Sequence, residues 1–266
     1  MNETSQLLRQ IQDHAAVLVT VHSTRGSAPR EVGAWMAVFD ATTLGTVGGG
    51  HLEFDAMVHA RLLLKGEAGE PLVRYALGPS LGQCCGGEVV LHFEKVDAAD
   101  VARLARQLAG VRAPVALFGG GHVGRALVQV LLKLPMDVTW IDSRDEIFPP
   151  DLASLVRCEH SEPVQGAVAD LAPQSRVLIM SFSHAEDLEV VAACLARQRA
   201  RADLPYIGLI GSKTKWASFR QRLQARGFSE TELAQVTCPI GVPGLADKRP
   251  EVIAVAVAAQ ILQVAN

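Results

Sequence analysis

Apolar and polar positions follow two different rhythms along the chain. Up to about residue 95 the apolar runs are short and strand-like. Residues 16–22, 34–39, 44–47, 73–77 and 89–94 each read as a β-strand. In the last of these, Val89, Leu91 and Phe93 alternate against Val90 and His92. Two segments break this rhythm with helical spacing: residues 5–14, and residues 51–65 with Leu52, Ala56, Ala60 and Leu63 on one face. Beyond residue 113 short apolar runs at 115–118, 137–141, 156–158, 177–180 and 206–210 are separated by amphipathic stretches. Strand–helix alternation of this kind predicts right-handed crossovers and a parallel, doubly wound sheet. The fold class expected is therefore α/β: a mixed α+β module over residues 1–96, a helix-containing linker over 97–113, and a doubly wound domain over 114–266. Two capping boxes are expected to start helices, Ser183 with Glu186 and Ser229 with Glu232. An Ala- and Val-rich helix is expected to close the chain after Pro250.

The first strand of the second module runs into Phe118-Gly119-Gly120-Gly121-His122-Val123-Gly124-Arg125. Gly119, Gly121 and Gly124 fit G-x-G-x-x-G at a strand-to-helix turn, where free backbone N–H groups and the positive end of a helix face an anion. The next strand ends at Asp142, 23 residues after Gly119, where an acid can accept hydrogen bonds from a ribose. These features make the second module Rossmann-like, with Gly119, Gly121, His122, Gly124 and Asp142 as candidate ligand contacts. Arg144 stands two residues beyond the acid and can equally favour a phosphate. No Tyr-x-x-x-Lys pair for hydride transfer follows.

Composition removes several classes of function. The chain has 266 residues, 49% of them apolar, which is enough for a buried core. Only 5% are aromatic and the net charge is −3, with 25 basic and 28 acidic residues mixed along the chain. Nucleic-acid binding is not expected. Neither a signal peptide nor an apolar run long enough to span a bilayer is evident, so a cytoplasmic protein without membrane contact is expected. Five cysteines and no C-x-x-C pair argue against a disulfide framework and a structural zinc site.

Three further constellations carry candidate chemistry. Gly48, Gly49 and Gly50 lie between a strand and a helix and offer a second cluster of N–H donors. Leu81-Gly82-Gln83-Cys84-Cys85-Gly86-Gly87 places two adjacent thiols in a glycine-rich loop, where nearby N–H groups lower a thiol pKa and soft sulfur ligands suit a sulfur-loving metal. Gly211 and Ser212, followed by Lys213 and Lys215, end a strand and can meet a phosphate. Cys158 and Cys194 read as core residues. Cys238, beside Pro239, fits a cleft or a core gap equally well.

In combination these segments resemble a known family. Gly26-Ser27-Ala28-Pro29-Arg30, Gly45-Thr46-Val47-Gly48-Gly49-Gly50-His51-Leu52-Glu53 and Cys85-Gly86-Gly87-Glu88-Val89 are similar to the N-terminal module of the XdhC/CoxI family. Gly119-Gly120-Gly121-His122-Val123-Gly124, Tyr206-Ile207-Gly208-Leu209-Ile210-Gly211-Ser212 and Pro239-Ile240-Gly241 resemble its Rossmann module. One segment departs: the family's Thr-His-x-His-x-x-Asp reads Ser181-Phe182-Ser183-His184-Ala185-Glu186-Asp187 here.

The resemblance implies a carrier rather than an enzyme. Such a protein binds the molybdenum cofactor in its molybdopterin form and holds it while a cysteine desulfurase supplies sulfur. It then passes the cofactor to apo-xanthine dehydrogenase, whose molybdenum subunit is the expected partner. On this reading the glycine turns meet the cofactor phosphate. Gln83, Cys84, Cys85 and Gly86 meet the metal end, with Cys85 as a transient ligand. Two alternatives stay open: an NAD(P)-dependent oxidoreductase, and a sulfurtransferase acting through a Cys84 or Cys85 persulfide. A homodimer is a further expectation, since the apolar C-terminal helix suits an interface as well as its own sheet.

Overall fold

The computed structural model describes residues 3–77, 87–110 and 112–264. Two compact units divide at Ala109 and Gly110.

In the first unit five strands form an antiparallel sheet: β1 (Ala16–Arg25), β2 (Trp35–Val38), β3 (Thr43–Gly45), β4 (Leu72–Ala76) and β5 (Glu88–Val96). Their order is β3-β2-β1-β5-β4. Both faces are covered, and the period-two alternation of β1 explains why. Val17, Val19 and Val21 point to one core with Leu52, Ala56 and Ala60 of α2 (Gly50–Leu64). Ala16 and Leu18 point to the other, with Leu7 of α1 (Glu3–Gln10) and Leu104 of α3 (Val101–Gln107). Residues 97–108, expected in the linker, thus pack within the first unit's second core.

Strand β1 runs three residues further than expected, through Thr24 and Arg25. A register shift between Val21 and Ser23 lets it keep pairing with Val89 and Glu88. The strand's outer end is exposed and needs no apolar side chains.

The second unit carries six parallel strands: β6 (Ala113–Phe118), β7 (Met136–Asp142), β8 (Arg157–His160), β9 (Arg176–Ile179), β10 (Tyr206–Leu209) and β11 (Val236–Thr237). Their order is β11-β10-β9-β6-β7-β8, the doubly wound arrangement in which the chain reverses direction between β6 and β9. Helices α4 (His122–Leu131) and α9 (Pro250–Leu262) cover one face, where Leu127, Leu131, Val257 and Ile261 pack on Val115, Leu117 and Trp140. Helices α6 (His184–Arg201) and α7 (Lys213–Ala225) cover the other, around Phe118, Ile179, Leu195 and Phe219. Two short helices, α5 (Pro150–Ala153) and α8 (Glu230–Leu233), complete the set. Helix α9 therefore buries its main stripe on its own sheet. The two-residue β11 is too short to leave a periodic signal. No described helix is long and apolar enough to cross a membrane.

Candidate functional site

At the carboxyl edge of the parallel sheet the chain turns sharply after β6. Gly119 has φ 124°, and a Cβ there would lie 2.0 Å from the Met180 carbonyl oxygen. A Cβ on Gly124 would lie 2.1 Å from the Gly119 oxygen. These two glycines let the turn press against the end of β9 and let α4 pack close to its own entry. Trp140 Nε1 donates to the Gly119 oxygen at 2.9 Å and fixes the turn from below. Gly121, by contrast, has nothing within 4 Å of its missing side chain and is exposed together with His122. No side chain caps α4.

Asp142 ends β7 where expected, yet its carboxylate is already occupied. Oδ2 accepts from the Gly120 amide at 2.6 Å and from Arg144 Nη2 at 2.9 Å. Oδ1 accepts from the Arg144 amide and Nε, both at 2.9 Å. A carboxylate has about four lone-pair positions, and all are spent within the chain. The residue is 1% exposed. Burial alone would raise its pKa, but the Arg144 guanidinium and the two amides outweigh it and hold the carboxyl below its ordinary range. The acceptors of Asp142 are therefore already met within the chain, while the Arg144 side chain stays one-third exposed.

Across the switch point, the loop after β9 carries Ser181, Phe182 and Ser183. Ser183 caps α6 by accepting from the Glu186 amide, as expected. The Glu186 side chain does not complete the box. Its Oε1 instead accepts from Ser143 Oγ at 2.6 Å, tying α6 to the end of β7. Asp187, buried, accepts from the Ser181 amide at 2.8 Å and from Lys215 Nζ at 2.6 Å. Lys215 also donates to the Ile210 oxygen at 2.8 Å, so it joins β10, α6 and α7 rather than facing solvent. Ser212 caps α7 by accepting from the Lys215 amide, and a Cβ on Gly211 would meet the Lys215 stem at 2.7 Å. The signals for Ser143 and Glu186 lie 43 residues apart, and no local pattern links them.

In the first unit, Gly48, Gly49 and Gly50 all have positive φ. A Cβ on Gly48 would lie 2.5 Å from the Pro29 ring. The N–H cluster formed here holds the chain's own Glu53: Oε2 accepts from the Val47 and Gly49 amides, both at 3.1 Å, and from the Thr46 hydroxyl. The Gly48 amide donates to Thr46 Oγ1 at 3.1 Å. An incoming anion at this turn must compete with Glu53.

Gln83, Cys84, Cys85 and Gly86 lie outside the described residues. Of the other cysteines, Cys194 is fully buried and its thiol is pushed up to about 12 by desolvation. Cys238 is pushed up to about 11, again by burial, and packs against the core beneath α6 and α7. Burial also raises Cys158. Among the described residues no group of three or more His, Cys, Asp or Glu could hold a metal ion.

Strand order, glycine turn and switch point together define a Rossmann-type domain, preceded in the chain by an antiparallel α+β unit. The chain belongs to the XdhC and CoxI family: the model of the XdhC Rossmann domain matches residues 115–261, and that of the XdhC and CoxI family matches residues 10–76. Two relatives come from Escherichia coli K12. The uncharacterized protein YqeB is 27% identical over 260 residues, covering 94% of this chain and 43% of YqeB. This chain thus spans less than half the length of that relative. The molybdenum cofactor insertion chaperone PaoD is 28% identical over 247 residues, covering 85% of this chain and 76% of PaoD. A Bacillus halodurans protein described as a xanthine dehydrogenase shares the fold, with a TM-score of 0.78, 21% identity, and coverage of 99% and 96% of the two chains.

Proposed function

We propose that this protein is a molybdenum cofactor chaperone: it binds the cofactor as cargo and hands it to a molybdoenzyme. The observation that carries this reading is the extent of the similarity to PaoD, which takes in 85% of this chain and therefore residues of both units. The geometry supports a carrier over a nicotinamide enzyme, because the acid that would hold a ribose is fully engaged by Gly120 and Arg144.

The cargo has a phosphate, a reduced pterin and a metal bound by two sulfurs. The uncapped first turn of α4 suits the phosphate, since Gly121 and His122 are exposed at the positive end of a ten-residue helix. Gly119 and Gly124 shape that turn. Gly211 and Ser212 line the same sheet edge, and Asp142 acts by positioning Gly120. The turn at Gly48, Gly49 and Gly50 is a second candidate that opens only if Glu53 moves. Cys84 and Cys85 supply soft sulfur donors for the metal end and Gln83 and Gly86 hydrogen-bonding groups, with Cys85 in transient contact. In the finer form of this reading a cysteine desulfurase sulfurates the bound cofactor and apo-xanthine dehydrogenase receives it in the cytoplasm.

Transfer tests the reading. Loaded protein is mixed with an apo-molybdoenzyme, the two are separated, and oxidised pterin fluorescence is read in each. Pterin should move to the enzyme, and activity should appear in step with it. Pterin that stays with the carrier while the enzyme remains inactive refutes delivery. Replacing Cys85 by Ala should lower the amount of sulfido cofactor delivered, whereas wild-type delivery would remove that cysteine from the account.

A further inference from the structure

Beside the switch point, two polar atoms find no partner among the described residues. Ser181 Oγ and Glu186 Oε2 are both shielded from solvent and neither makes a hydrogen bond. Most buried polar atoms in folded proteins are paired, so each exception calls for an explanation. Phe182, adjacent to Ser181 in the same loop, is 65% exposed, and one face of its ring lies on the Arg144 guanidinium at 4.5 Å. An aromatic side chain held by a cation on one face and open elsewhere is a ready stacking surface.

The charges around these groups decide what kind of ligand they suit. Asp142 is matched by Arg144, and Asp187 by Lys215. Glu186 remains, its charge felt by Arg144 but bonded only through Oε1, to Ser143. Of these three carboxylates, only Glu186 keeps an oxygen without a partner among the described residues. It disfavours a phosphate and favours a flat, neutral ring that presents N–H groups. Ser143 occupies only Oε1, so Oε2 keeps its acceptor positions for an incoming donor.

We propose that Glu186 and Ser181 recognise the donor edge of a 2-amino-4-oxo-pyrimidine ring stacked on Phe182, the edge shared by pterins and guanine. Its ring N–H and amino N–H donate to the Glu186 carboxylate, and its carbonyl accepts from the Ser181 hydroxyl. Choosing the pterin as the source rests on the carrier reading above, and the phosphate of the same ligand then lies toward Gly121 and His122.

The test is a titration of the full chain with neopterin, guanosine monophosphate and adenosine monophosphate, following neopterin fluorescence directly and the nucleotides by calorimetry. Saturable neopterin binding at least tenfold tighter than that of adenosine monophosphate is expected, because adenine lacks the donor edge. Glu186→Gln keeps the acceptor for Ser143 and should weaken neopterin binding at least tenfold. Phe182→Ala, at an exposed position, should weaken it several-fold without changing the thermal melt. Binding of guanosine monophosphate in preference to neopterin keeps the edge assignment and makes a guanine nucleotide its source. Equal binding of adenosine monophosphate, binding of neither neopterin nor guanosine monophosphate, or an unaffected Glu186→Gln variant overturns the proposal. Pterin carried through purification separates the two claims. If Glu186→Gln keeps the wild-type load, the edge assignment fails and the carrier reading stands. If wild-type protein carries none, the carrier reading fails.

Discussion

Replacing Asp142 by Asn tests whether this carboxylate is a clamp on the glycine turn. Asn retains one acceptor oxygen and turns the other into an NH2 group. At best two of the four donors at Gly120 and Arg144 stay satisfied, and the remainder meet another donor. Leaving one buried amide unpaired costs about 1–3 kcal/mol. Losing the charge of a pair whose Arg144 partner is one-third exposed adds only about 1 kcal/mol after solvent screening. The sum is about 2–4 kcal/mol. With a urea m-value of about 2 kcal/mol/M, the unfolding midpoint of the second unit should fall by roughly 1–2 M. Trp140 is fully buried and bonded to the turn, so its fluorescence reports the transition. The pH dependence has a fixed sign. The folded carboxyl sits below its ordinary range, so its contribution is present above an unfolded pKa of about 3.9 and is lost as pH falls through the folded value. The gap between wild type and variant should accordingly narrow below about pH 4. A midpoint shift under roughly 0.3 M at pH 7, or a gap that widens in acid, would refute the clamp.

Three other perturbations separate structural from exposed positions. Gly124→Ala forces a methyl to 2.1 Å from the Gly119 oxygen and should cost about 1–3 kcal/mol, whereas Gly121→Ala meets nothing and should stay within about 0.5 kcal/mol. Equal effects in thermal melts would contradict that contrast. Lys215→Met leaves Asp187 charged and buried, and should destabilise the second unit by about 3–5 kcal/mol; a melting temperature within two degrees or so of wild type would be incompatible with this. Cys194 and Cys238, raised to about 12 and about 11, should be alkylated by iodoacetamide at pH 8 about three and about two orders of magnitude more slowly, respectively, than an ordinary thiol of pKa about 8.5. Peptide mass spectrometry showing either one modified at the free-thiol rate would mean that it is not packed as described.

Local signals were legible in the chain and non-local ones were not. The switch from short alternating runs to strand–helix alternation places every strand of the second unit except β11. Ser183 and Ser229 both cap helices, and at Ser229 the full box with Glu232 forms. The Glu186 carboxylate defeats the same pattern because Ser143 competes for it from another strand end. Lys215 reads as a solvent or phosphate residue, since nothing nearby announces Asp187 28 residues earlier. The acid that ends β7 sits where a ribose acid sits, but Arg144, two residues on, closes over it. In the first unit the three glycines mark a turn that needs positive φ. Glu53, four residues after Gly49, is what fills it.

The central claim is that this protein carries molybdenum cofactor, and its most direct test is the pterin it retains. The protein is purified from cells able to make the cofactor and from cells unable to, and released pterin is oxidised and measured by fluorescence per mole of protein. The account predicts a clear signal from the first preparation and none above background from the second. Equal signals from both would contradict it.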